Sequence, residues 1–270
     1  MLATLTLLAV TAIDPIVSAD WLQGHLSDPQ VRVICVGDAA DYQRGHIPGA
    51  RVIDHMETVQ MGANGHRLAP DDALVRIFAK LGISDGTHVV LYGDSPMATG
   101  WVNSALDAIG HGDEVSWLDG GIALWNAERR SLETATPPPV AGTLTLKPAP
   151  DLFVDAAWVR SRLNSPATRI LDVRTQQEWT TGHVPSATLI LWQDLFADVK
   201  TQKFKSKEEI KALLAKAGVK PDQEVVTYCA VGMRASLMGW AARSVAGLPT
   251  KIYIGSWQDW SRDSNNPIVK

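Results

Sequence analysis

The chain has 270 residues, 25 Lys and Arg against 29 Asp and Glu, a formal net charge of −4 and 46% hydrophobic residues. That length holds one large domain or two of ordinary size, either with a full core, and the composition excludes disorder and collagen-like order. A slightly acidic chain with no run of Lys and Arg lacks the electrostatic footprint for nucleic acid, and two cysteines, Cys35 and Cys229, without C-x-x-C or paired Cys/His spacing argue against a disulfide framework or a structural zinc.

In chain order, residues 1–12 read MLATLTLLAVTA, too short to span a bilayer, which takes about 20 apolar residues. The run resembles the apolar part of a secretory signal. Val10-Thr11-Ala12 would serve as its small-residue cleavage site, although the positively charged start is missing. This reading expects a periplasmic protein; the alternatives are a cytoplasmic protein and an apolar arm laid on the body of the fold. Beyond residue 13 the chain repeats itself. Gly45-His46-Ile47-Pro48-Gly49-Ala50 returns as Gly182-His183-Val184-Pro185-Ser186-Ala187, an offset of 137 between Gly45 and Gly182. The flanks repeat too, Val31 to Val36 matching Thr168 to Val173, and Val89-Val90-Leu91-Tyr92 matching Val225-Val226-Thr227-Tyr228. Half the chain per repeat means a duplicated domain and not a solenoid. Thr136-Pro137-Pro138-Pro139 opens a stiff Pro-rich linker. The expected division is domain one over 14–135, a linker over 136–150 and domain two over 151–270.

Short Val- and Ile-rich runs alternate with helical patterns in each copy. In the second, 169–173 predicts a buried strand, and 206–216 predicts an amphipathic helix with Ser206 as N-cap, Glu209 in capping-box position and Gly218 closing it. A strand over 224–228 and a helix over 235–245 follow. Strands alternating with helices give an α/β class, each domain a small parallel sheet with helices on both faces.

Duplication also separates scaffold from function. His46 and His183 fall in the same Gly-His-x-Pro turn and are expected to be satisfied by backbone groups; Tyr92 and Tyr228 recur as core or turn residues. Cys35, mid-strand among Val33, Ile34 and Val36, reads as an inert small hydrophobe. The copies part after Tyr228, where Cys229-Ala230-Val231-Gly232-Met233-Arg234 faces Gly93-Asp94-Ser95-Pro96-Met97 in the first. A loop leaving the carboxyl end of a strand and opening a helix is where α/β sheets bind ligands. Its backbone amides and the helix dipole stabilise an anion, and Gly232 permits the tight curve. A cysteine so placed beside an arginine is expected to serve as a thiolate nucleophile. The bland alternative is a core cysteine closing a buried strand. Cysteine phosphatases need Cys-x5-Arg around a phosphate; Cys229 to Arg234 is Cys-x4-Arg, a ring better sized for one sulfur atom.

At this point the sequence resembles the two-domain members of the rhodanese family of sulfurtransferases. The matching residues are Ile16-Val17-Ser18-Ala19-Asp20-Trp21-Leu22, both Gly-His-x-Pro turns, Leu171-Asp172-Val173-Arg174, the Cys229–Arg234 loop and Gly255-Ser256-Trp257-Gln258-Asp259-Trp260. The resemblance implies that domain two is catalytic and domain one a degenerate partner covering the cleft. It implies a ping-pong cycle in which Cys229 takes a sulfane sulfur, holds it as a persulfide among the amides of Ala230, Val231, Gly232 and Met233, and hands it to cyanide or a thiol. No metal or organic cofactor is implied. Arg174 is expected to pair with Glu178, and Asp172 to brace the loop; a purely structural ion pair is the alternative.

In mercaptopyruvate sulfurtransferases, which resemble the chain overall, arginines grip the substrate carboxylate, one at the position of Glu178 and one in a longer connection before Gly-His-x-Pro. Neither is present here, whereas Arg234 remains for the sulfonate of thiosulfate. Thiosulfate is therefore the expected donor. The alternatives are 3-mercaptopyruvate or a protein persulfide relay, and, outside catalysis, an idle binding module. A monomer without a membrane span is expected.

Overall fold

The computed structural model describes residues 13–62, 65–149 and 151–270; the apolar segment 1–12 lies outside them. The Val and Ile runs form strands because buried parallel strands have both faces covered and read as continuous apolar runs. The first half runs β1 (Ile16–Val17), α1 (Ala19–His25), β2 (Val31–Val36), α2 (Ala39–Arg44), β3 (Arg51–Ile53), β4 (Val59–Gly62), β5 (Gly65–Leu68), α3 (Asp71–Lys80), β6 (His88–Gly93), α4 (Pro96–Ala108), β7 (Val115–Leu118) and α5 (Gly121–Ala127). The second half runs β8 (Phe153–Val154), α6 (Ala156–Ser161), β9 (Thr168–Asp172), α7 (Gln176–Thr181), β10 (Thr188–Leu189), β11 (Phe196–Asp198), β12 (Lys203–Phe204), α8 (Lys207–Lys216), β13 (Glu224–Tyr228), α9 (Met233–Trp240), β14 (Thr250–Tyr253) and α10 (Ser256–Trp260).

The two five-stranded sheets have the same order, β1-β7-β6-β2-β3 and β8-β14-β13-β9-β10, and their strand pairs are parallel. Duplication read from the Gly-His-x-Pro offset is thus duplication of topology. The capping box of α8 forms as its residues predict. Ser206 Oγ accepts the Glu209 N–H at 3.2 Å, Glu209 accepts the Ser206 N–H at 2.9 Å, and Ile210 and Leu214 bury one face. The helix expected over 235–245 departs from the pattern. It begins at Met233 and widens at Ala241–Val245 into a π-helical turn, which carries Arg243 across to Asp107 and Asp113 of the first half.

The halves share one core. α4, buried along its length except at Met97, packs on α9 so closely that a Cβ on Gly100 would lie 2.8 Å from the Leu237 nitrogen. Trp117 stacks on Trp240 at 4.6 Å. Smaller apolar clusters around Leu22 and Tyr42, and around Val159 and Trp260, fill the outer faces of the two sheets. The Pro-rich stretch is not a free spacer. Gly142 N donates to Ala79 O at 2.8 Å, Thr143 N to Ser84 Oγ at 3.0 Å and Lys147 N to Ile109 O at 3.0 Å, laying it along the first half. Among the described residues no helix is long and apolar enough to cross a membrane.

The joint between the halves carries a pH dependence. Asp107 is buried, accepts Asn103 Nδ2 at 3.0 Å and pairs with Arg243; burial pushes its carboxyl up to about 6 against the pull of that guanidinium. The folded chain therefore holds a proton that the unfolded chain releases, and this group's contribution to stability falls as pH rises from about 4 to about 6. Asp107→Asn removes the effect, while Arg243 keeps Asp113. Urea melts should show the variant gaining on wild type by about 1–3 kcal/mol between pH 4 and pH 7. A difference independent of pH would refute the assignment.

Candidate active site

The site is built from the carboxyl ends of β9 and β13. Asp172 ends β9 and Tyr228 ends β13, paired in register. Tyr228 Oη donates to Asp172 Oδ2 at 2.5 Å and accepts the Val184 N–H at 3.1 Å, so the second Gly-His-x-Pro turn is pinned to the strand that presents Cys229. The first copy repeats the device, the Ile47 N–H donating to Tyr92 Oη at 3.2 Å. The turn histidines behave as expected on one ring nitrogen: Nδ1 of His46 meets Tyr42 O at 2.9 Å and Nδ1 of His183 meets Trp179 O at 3.3 Å.

Arg174 does not pair with Glu178. It is buried on Asp172, with Nε 2.9 Å from Oδ1 and Nη2 2.6 Å from Oδ2, and its guanidinium lies 4.5 Å from the centre of the Trp257 ring. The expectation failed because Thr175 is the N-cap of α7. Arg174 precedes the helix and does not share a face with Glu178. Burial opposes its charge, yet Asp172 holds the guanidinium more firmly protonated than usual. Asp172 accepts the hydroxyl of Tyr228, the residue before the cysteine.

Cys229 is fully buried. Its Sγ accepts the Gly232 N–H at 3.1 Å. Gly232 has φ +96° and is the N-cap of α9, which has no side-chain cap, so the first-turn amides have no side-chain acceptor of their own and stay available to an anion. The first half closes the equivalent position. Ser95 Oγ accepts the Ala98 N–H at 3.3 Å, Pro96 removes another donor, and Gln202 of the second half donates to Gly93 O and Asp94 O at 2.9 and 3.0 Å. Cys35 stands where Asp172 stands in the second copy. It is half-buried, not sealed in the core, and burial pushes its thiol up to about 11, which keeps it protonated at neutral pH.

Arg234 lies in the first turn of α9 and pairs with Glu178. Nη1 and Nη2 meet Glu178 Oε2 and Oε1, each at 2.8 Å. Burial works against the guanidinium, but Glu178 and the Cys229 sulfur together raise its pKa. Arg234 in turn, with Thr175, holds the Glu178 carboxyl at about 2.

Ser256, to which the sequence alone assigns no site role, stands beside the cysteine. The Cys229 N–H donates to Ser256 Oγ at 3.0 Å, that oxygen stands 3.9 Å from Sγ, and its hydroxyl donates to Tyr253 O at 2.9 Å. Trp101 reaches the loop from the first half; a Cβ on Gly232 would lie 3.0 Å from its ring. The β4–β5 hairpin comes with it, since a Cβ on Gly65 would lie 2.6 Å from Gln258 Oε1. No local signal ties residues more than 130 positions apart.

Two matching parallel sheets, with an uncapped cysteine loop on the second alone, define a tandem α/β scaffold for chemistry at sulfur. The chain belongs to the rhodanese-like family of sulfurtransferases, a rhodanese-like domain being recognised over residues 18–128 and again over 155–263. It is 30% identical over 261 residues to a thiosulfate sulfurtransferase of Azotobacter vinelandii, covering 92% of this chain and 94% of that protein. It is 32% identical over 281 residues to the sulfur carrier protein TtuD of Thermus thermophilus, covering 94% and 96%. In fold it is similar to SseA of Escherichia coli, whose structure is described as that of the 3-mercaptopyruvate sulfotransferases, with TM-score 0.79, 23% identity and coverage of 91% and 99%.

Proposed function

We propose that the protein is a thiosulfate sulfurtransferase working through a persulfide on Cys229. The observation that carries this reading is the 3.1 Å contact of Sγ with the Gly232 N–H at the uncapped start of α9, a feature whose first-half counterpart is capped. The Cys229 thiolate attacks the outer sulfur of thiosulfate; the new S–S bond takes the electron pair of the thiolate, and sulfite leaves with the pair of the old one. Cyanide or a thiolate then attacks the terminal sulfur and leaves as thiocyanate or a persulfide, returning the thiolate. Amides of Ala230, Val231, Gly232, Met233 and Arg234 hold the anionic sulfur, Arg234, in its pair with Glu178, is the guanidinium that the sulfonate approaches, and Asp172 and Arg174 fix Tyr228 and Trp257 around the loop. Residues 151–270 form the catalytic domain and 14–135 the inactive one that roofs it.

Intact-mass analysis tests this. Wild type treated with thiosulfate should gain one sulfur, lose it to a reductant, and Cys229→Ser should gain none. An unchanged wild-type mass would overturn the reading. A persulfide relay is favoured as a second reading by the occupied fork of Arg234; 3-mercaptopyruvate, lacking its arginine clamp, is the third donor. Rates with each donor at equal concentration, with cyanide as acceptor, rank them.

A further inference from the structure

The carboxylate of Glu178 is held from two sides. Thr175 donates to Oε2 from its N–H at 2.9 Å and from its hydroxyl at 2.8 Å, while Arg234 takes both oxygens fork to fork. That geometry uses the end-on edge of the guanidinium, the edge a sulfonate would prefer. Exposure rises outward from the sulfur, from 0% at Cys229 to 14% for the Arg234 side chain and 34% for Glu178. The carboxylate is thus the more exposed member of the pair. An anion reaches Arg234 only at its Nε side or by displacing an acid already fixed by its helix cap. The buried Asp172–Arg174 pair beside it is also internally balanced, so neither arginine leaves a net positive charge at the loop.

We propose that Glu178 is a specificity-determining residue: by holding Arg234 in a neutral pair it weakens the Cys229 site for multiply charged donors such as thiosulfate relative to sulfane donors of lower charge, such as a thiol persulfide. The inference rests on Cys229 as the sulfur-carrying group. It predicts that thiosulfate is a usable donor held loosely, and that removing one negative charge tightens it.

Charge-selective alkylation reads the local field without any donor. Iodoacetamide and iodoacetate are of similar size and both need the thiolate, but only the second is an anion; peptide mass spectrometry follows Cys229 apart from Cys35. The ratio of neutral to anionic rates should fall about fivefold in Glu178→Gln, the scale of effect of removing one nearby unit charge in a medium between protein and water. It should stay near wild type in Glu178→Asp and rise in Arg234→Gln. Opposite signs at the two partners are an outcome that general loosening of the loop does not produce. An unchanged ratio in Glu178→Gln, a shift in the same direction in both variants, or failure of both reagents to reach Cys229 would overturn the proposal. In steady state, Glu178→Gln should lower the KM for thiosulfate with kcat little changed. If wild type takes no sulfur from thiosulfate while the alkylation ratio still shifts, the donor assignment fails and the role of Glu178 stands; sulfur loading with an unshifted ratio means the reverse.

Discussion

Asp172→Ala should destabilise the protein by about 3–5 kcal/mol, because removing one partner of a buried ion pair leaves the other charge uncompensated. Asp172 is 0% exposed and Arg174 1%. Three groups lose their acceptor at once: the Arg174 guanidinium, the Arg174 N–H at 3.0 Å and the Tyr228 hydroxyl. Gly182 O, 2.7 Å from Nη2, remains as a neutral partner and does not balance the charge. Thermal melts should fall by about 10 °C, given about 2–4 °C per kcal/mol in chains of this size. Sulfur loading should fall as well, since Tyr228 precedes Cys229 and Trp257, whose ring lies under the Arg174 guanidinium, donates its backbone N–H to Cys229 O at 2.9 Å. The double variant Asp172→Leu with Arg174→Met should recover much of the stability, an apolar pair of similar volume having no charge to strand. A loss below about 1 kcal/mol in the single variant would place the pair in the range of surface ion pairs and remove it as the brace of the loop.

What the sequence disclosed follows from which forces act locally. The strand over 224–228 is observed at those bounds, and the Ser206–Glu209 box forms because both partners lie within one turn. Comparing the two copies isolated Cys229, since an uncapped helix start and a Ser-Pro start differ in residue type. Contacts between distant segments were not legible. Spacing alone pairs Glu178 with Arg174, four positions away, whereas its partner is Arg234, 56 positions away; only the folding of α7 against the loop decides between them. Trp101 and Gly65 reach the site from the other half, and their sequence neighbourhoods carry no mark of it. The Pro-rich stretch reads as a spacer by composition, yet its backbone donors find Ala79, Ser84 and Ile109, because a chain crossing a folded surface satisfies its amides there.

Gly232→Ala should slow sulfur loading by about a hundredfold or more, the scale of effect that a displacement near 1 Å has at a reacting centre. An added Cβ would lie 2.5 Å from Ile254 O and 3.0 Å from the Trp101 ring, on a residue with φ +96°. Ile254 O is backbone and Trp101 is fully buried on α4, so the loop itself has to give. The N–H that moves is the one 3.1 Å from Sγ. Gly247→Ala is the matched control. It too has a left-handed φ, +73°, but nothing lies within 4 Å of its Cβ and it sits beyond the π-helical turn. Both variants should lose about 1–3 kcal/mol to backbone strain, while only Gly232→Ala loses single-turnover persulfide formation. Equal loading rates in the two would mean that the Gly232 N–H does not hold the transferred sulfur. If they diverge as expected, what the loop draws from glycine is close approach to Ile254 and Trp101, and the first half acts on the chemistry by fixing where that amide points.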